Sequence, residues 1–127
     1  MIRFLGLDEV LALHADQIER YGGSTGVRDL GLLESAVSAA EATFGGMELH
    51  ETLAEKAAAY LFHLAKNHPF VDGNKRVAAA SMFMFLYLND HTLECTSDEL
   101  AELTERVATS ELGKPDVAVF IREHIDA

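Results

Sequence analysis

The chain has 127 residues, 49% of them apolar, a formal net charge of −11 and one cysteine, Cys95. Length and composition fit one globular domain over residues 1–127, able to bury a core without disulfides or a structural metal. The acidic balance argues against a nucleic-acid partner and against attraction to anionic membranes, since both depend on Lys and Arg, and the lone cysteine suits a reducing cytoplasm.

The first segment, "MIRFLGLDEVLALH", breaks its apolar run with Asp8 and Glu9 and is not a secretory signal. "LDEVLALHADQIERY" predicts a helix with Val10, Leu11, Leu13 and Ile18 apolar and Gly22-Gly23 as its stop. "VRDLGLLESAVSAAEATF" predicts a second helix. Asp29 is its N-cap, and Leu32, Leu33, Ala36, Val37 and Ala40 share one face. Arg28 reads as half of a surface ion pair. After the irregular "GGMELHET", the segment "TLAEKAAAYLFHLAKN" predicts a third helix. It must end near Asn67 or His68, because the residue before Pro69 is pushed out of the helical region. The most apolar helix runs from about Asn74 to Leu88 and stops at Asn89-Asp90. Its apolar stretch is shorter than the roughly 20 residues that a membrane span takes. "TLEC" reads as a short extended piece, Ser97 as the cap of a fifth helix, and Pro115 as the opening of a sixth. The fold class is all-α, about six helices with little strand.

Chemistry concentrates in "NHPFVDGNKR", residues 67–76. Asp72-Gly73 is a turn signal, and Asn74 is the expected N-cap, so Lys75 and Arg76 fall in the first helical turn. Cations are unfavourable there, because a helix N-terminus is itself partially positive. A bound phosphate would resolve the conflict: the free N–H groups of that turn, with Lys75 and Arg76, make an anion site. His68, on the other lip of the loop, is suited to act as general base. Asp72 is suited to hold Mg²⁺ together with phosphate oxygens and waters. These are the parts of nucleotide-dependent group transfer. Phe70 is expected to point inward as an anchor. Taken singly, His68 reads as a helix C-cap, Asp72 as a turn residue, and Lys75 and Arg76 as solvated charges. The functional reading rests on their falling within nine positions. His14, His63, His91 and His124 show no metal-ligand spacing, and Met82, Phe83, Met84 and Phe85 read as part of a packed central helix.

"HPFVDGNKR" resembles the signature of the Fic/Doc (Fido) superfamily, His-x-Phe-x-Asp/Glu-Gly-Asn-Gly/Lys-Arg. "YGGSTGVRDLGLLESA", "FGG", "EKAAAYLFHLAKNHPF" and "FLYLND" extend the likeness to the death-on-curing (Doc) toxins of that superfamily, over roughly residues 14 to 90. The resemblance implies a Fido-type helical bundle with a short flap, here "FGGMELH" within residues 44–50, beside the active site. AMP-transferring Fic members read Gly-Asn-Gly-Arg-x-x-Arg. This chain has Lys75 at the third position, as Doc-like members do, and Ala79 where the second arginine would stand. The resemblance therefore implies transfer of the γ-phosphate of ATP, with Mg²⁺, to a threonine of elongation factor Tu. AMP transfer, or an inactive binding module, is the alternative. It further implies His68 as base, Asp72 as Mg²⁺ ligand, Gly73, Asn74 and Lys75 as anion hole, and Lys75 and Arg76 on the transferring phosphate. No Ser or Thr begins the inhibitory Ser/Thr-x-x-x-Glu-Gly/Asn helix motif of many Fic proteins. Inhibition would then come from a Phd-like antitoxin whose tail folds on binding.

Overall fold

The computed structural model describes residues 1–126. Helices α1 (Leu7–Tyr21) and α2 (Leu30–Ser38) are followed by a 3₁₀ turn (Ala39–Glu41) and a hairpin of two-residue strands, β1 (Thr43–Phe44) and β2 (Met47–Glu48). Four helices follow: α3 (Leu53–Asn67), α4 (Asn74–Leu88), α5 (Ser97–Ala108) and α6 (Lys114–His124). The expected all-α bundle of about six helices with a short flap is what the chain forms.

Helix α3 is the central element, because its sequence is apolar on nearly every side. Ala57, Ala58, Ala59 and Ala65 let neighbours approach closely, while Tyr60, Leu61 and Leu64 fill the space between them. It packs against α2, α4, α5 and α6. Burying each Leu- or Phe-sized side chain in this layer stabilises the fold by about 1.5–3 kcal/mol. Tyr60 also ties down the N-terminal segment: its hydroxyl accepts from Leu5 N at 2.9 Å and donates to Leu5 O at 3.3 Å. Burial pushes this phenol up to about 12, so it stays protonated and able to donate.

Several boundaries differ from the sequence reading. The second helix stops at Ser38 rather than running to Phe44, because Phe44 pairs with Met47 across the Gly45-Gly46 turn. Both of these glycines have positive φ, 59° and 82°. Thr96, not Ser97, caps α5: its hydroxyl accepts from Glu99 N at 3.0 Å, while the Glu99 carboxylate accepts from Thr96 N at 2.9 Å. "TLEC" contributes one bridge, Leu93 with Ile125. Met82 and Phe85 are fully buried, but Phe83 is 39% exposed and faces a groove between α1, α4 and α5. Asp29 caps α2 as expected, accepting from Leu32 N at 2.9 Å. Among the described residues no helix is long and apolar enough to cross a membrane.

Candidate active site

The α3–α4 loop owes its shape to a strap, residues 22–29, that runs antiparallel to it. Arg28 and Asp29 N–H groups both donate to Pro69 O, at 2.8 and 3.0 Å, and Val71 N donates to Gly26 O at 3.0 Å. Val27 and Phe70 form a bridge between them. Among the described residues the Arg28 guanidinium forms no ion pair. It donates to His68 O at 2.7 Å and Asn67 O at 3.0 Å, carbonyls that α3 leaves unpaired at its C-terminus. His68 can then take the left-handed conformation, φ 48° and ψ 54°, that turns the chain off α3. Phe70 is buried, as its anchoring role requires.

Asn74 is the first residue of α4 and not its cap. The cap is Gly73, at φ 75°, because the Asn74 side chain is already used across the loop. Its Oδ1 accepts from Phe70 N at 2.9 Å and its Nδ2 donates to Phe70 O at 3.0 Å. Those two bonds fix which end of the amide is which. Nδ2 is therefore the group that faces His68 Nδ1, at 3.4 Å. By this hydrogen-bond pattern the neutral His68 ring keeps its proton on Nε2, and the lone pair lies on Nδ1.

Asp72 is held from two sides. Its Oδ2 accepts from Ser24 N at 3.1 Å and its Oδ1 from Gly73 N at 2.8 Å. These two bonds, Ser24 first, hold its carboxyl below the usual carboxylate range, with Arg76 and His14 adding attraction. His14 Nε2 donates to the Asp72 carbonyl at 2.8 Å, and the His14 ring stacks on Phe70 with centroids 3.7 Å apart. Gly23 lets strap and loop meet. At its φ of 122° a Cβ would lie 2.7 Å from Asp72 Oδ2 and 3.0 Å from the Arg76 guanidinium.

The two cations of the first turn of α4 have partners within the protein itself. Arg76 donates to Gly22 O at 2.9 Å and Gln17 O at 3.4 Å, carbonyls at the negative C-terminal end of α1. Lys75 Nζ lies 2.6 Å from Glu105 Oε2 on α5. A phosphate is therefore not needed to account for them, which corrects the inference from sequence. The first helical bond of α4 runs from Val77 N to Gly73 O, so the N–H groups of Asn74, Lys75 and Arg76 precede the helical ladder. His68, Val71, Asp72, Gly73, Asn74, Lys75 and Arg76 line one open pocket of about 300 Å³. All six site residues expected from the sequence thus meet in one place. A larger depression of about 780 Å³ shares Lys75 and Arg76 with it.

The fit to Mg²⁺ follows from the donor set. Among the described residues no group of three or more His, Cys, Asp or Glu side chains forms a metal cage. Asp72 offers one exposed, ionised carboxylate. That suits an ion arriving with phosphate oxygens and waters, and not one held by protein ligands alone.

The roles of His14, Gly23 and Ser24 went unseen in the sequence. His14 continues the Val10–His14–Ile18 stripe of α1, and a histidine on an otherwise buried face was the available signal. Nothing comparable marked Ser24, whose contribution is a backbone N–H.

A sequence model of the Fic/DOC family matches residues 4–86 of this chain. The chain belongs to the Fic/Doc family. It is 39% identical over 120 residues to a protein named Toxin Doc from Mycolicibacterium smegmatis (strain ATCC 700084 / mc(2)155), covering 93% of this chain and 90% of that one. It is 37% identical over 121 residues to Protein kinase doc of Escherichia phage P1, covering 95% and 94%. Both relatives place this Fic/Doc chain among the Doc-like members, as Lys75 implies. The alignments run beyond the family match and take in α5, which carries the partner of Lys75.

Proposed function

We propose that the protein is a Doc-type toxin that moves the γ-phosphate of ATP to a hydroxyl of a translation factor, elongation factor Tu being the first acceptor to test. One observation carries the reading: a histidine, an ionised aspartate and a helix N-terminus flanked by Lys75 and Arg76 line a single open pocket. The free N–H groups of α4 and the Arg76 fork would seat the phosphates. Asp72 would hold the Mg²⁺ that offsets their charge. The acceptor hydroxyl oxygen bonds to the γ-phosphorus as the bond from that phosphorus to the β–γ bridging oxygen breaks, releasing ADP. The hydroxyl proton goes to His68. The name of the phage relative, a protein kinase, supports phosphoryl over AMP transfer. The flap would dock the acceptor by strand addition, because short strands leave unpaired backbone groups on both edges. A Phd-like antitoxin would restrain the toxin.

The test uses ATP labelled at the α or the γ position, with purified elongation factor Tu and a His68→Ala control. Label is expected from γ alone, with transfer falling by about 10²–10⁴-fold in His68→Ala. Label from α alone would make the protein an AMP transferase. Full transfer by His68→Ala would remove the assigned base.

A further inference from the structure

Lys75 is the residue that separates this site from the glycine-containing version of its motif, yet its ammonium does not point freely into the phosphate pocket. It lies on α5, 2.6 Å from the Glu105 carboxylate. The contact sits at a junction: Lys75 lines the pocket of His68 and Asp72, and Lys75, Arg76 and Glu105 all line the adjoining groove. We propose that Glu105 sets the affinity of the site for phosphate-bearing ligands, by holding Lys75 on α5 until a polyphosphate anion takes it over. The inference rests on the nucleotide-transfer reading of the pocket and names a residue which that reading does not use.

The magnitudes allow such an exchange. Side-chain exposure is 52% for Lys75 and 54% for Glu105, so the pair lies in water-like dielectric. Exposed pairs of this kind are weak, and a ligand carrying several negative charges can outcompete one carboxylate. Arg76 is held differently, by two backbone carbonyls of the α1 terminus rather than by a movable side chain. It therefore stays in place while Lys75 changes partner. Glu105 acts against an anion in two ways: it occupies the Lys75 ammonium, and it repels the incoming charge. Both effects vanish with its carboxylate. Neither acts on a neutral ligand.

The experiment is calorimetric titration of the full chain and of Glu105→Gln with MgATP, with inorganic tripolyphosphate, and with adenosine. The two anions are expected to bind roughly three- to tenfold more tightly to Glu105→Gln, with the gain shrinking in 1 M salt, where the screening length falls to about 3 Å. Adenosine affinity and the melting temperature should not move. A gain in affinity is a readout that structural damage does not produce. Wild-type protein that binds MgATP while Glu105→Gln binds the anions equally or more weakly overturns the role of Glu105 and leaves the transfer reading standing. Wild-type and Glu105→Gln proteins that both fail to bind MgATP overturn the two together.

Discussion

The α3–α4 loop and the β1–β2 hairpin are both short, glycine-containing connections, and they are built in opposite ways. The loop is braced by the strap backbone, by the Asn74 amide across it, by His14 and by Arg28 on its first carbonyls. In the hairpin every residue from Thr43 to Leu49 is exposed, including Phe44, Met47 and Leu49. Among the described residues it is held at its base and by the ion pair of Glu48 with Lys56, 3.2 Å long. At the base Leu49 N donates to Ala42 O at 2.9 Å, and the buried Lys56 donates to His50 O at 2.6 Å and Glu51 O at 3.1 Å. One region is fixed in position by tertiary hydrogen bonds. The other keeps its backbone and its apolar side chains available to something outside the molecule.

Glycine substitutions give the largest contrast. Gly23 and Gly45 both have positive φ, but a Cβ on Gly23 meets Asp72, Arg76 and Ile18 within 3.1 Å, whereas a Cβ on Gly45 meets nothing within 4 Å. Gly23→Ala should cost about 2–4 kcal/mol, strain and displaced contacts together, and should weaken MgATP binding. Gly45→Ala should cost only the left-handed penalty, about 1–2 kcal/mol, and leave MgATP binding unchanged. Urea unfolding and calorimetry of both variants decide it. Equal effects would mean that the strap does not brace the loop.

The same contrast explains what could be read from the sequence. The six helices were legible because their apolar periodicity and their stops are local signals. So were the six pocket residues, because they fall within nine positions of one another. The strap was not. Apart from the Arg28 guanidinium, its contribution is made by backbone N–H and C=O groups at Ser24, Gly26, Arg28 and Asp29, and a backbone group carries no residue identity. Asn74 was misassigned as a cap because its type suits that position, while the loop uses its amide for a tertiary bond to Phe70. Lys75 and Arg76 prompted an external anion because their partners, Glu105 and the end of α1, lie 30 or more residues away in sequence.

Acid should separate the two regions next. Beside the hairpin base, Lys114 Nζ lies 2.9 Å from both His50 Nε2 and His63 Nε2. Burial, and then the Lys114 charge, push His63 down from 6.5 to about 4. The same two causes lower His50. A histidine held neutral on folding binds its proton more readily when unfolded. Stability is therefore complete above about pH 6.5 and declines as pH falls toward about 4. Discounted for the partial exposure of the ring, the His63 contribution at pH 5 is on the order of 1 kcal/mol. Urea unfolding at pH 7.5 and 5 should show this slope in the wild type and a smaller one in His63→Gln. Asp72 moves the other way. Its lowered carboxyl stays ionised into acid, so hydrogen exchange should find the hairpin base opening at a higher pH than the strap–loop contacts. A common opening pH would join the two regions into one unit.

The smallest stability effect is expected at the hairpin tip, and it tests the contrast most directly. Phe44 and Met47 face each other across the ladder, 82% and 68% exposed. They contribute little to the core, so Phe44→Ser with Met47→Ser should change unfolding free energy by less than about 0.5 kcal/mol. If the hairpin docks an acceptor, the same double variant should raise the acceptor KM several-fold while MgATP binding is untouched, because the pocket of His68 and Asp72 draws no residue from the hairpin. A stability loss well above that bound would make the tip a structural element. An unchanged acceptor KM would leave two large apolar side chains exposed for some purpose other than the transfer reaction.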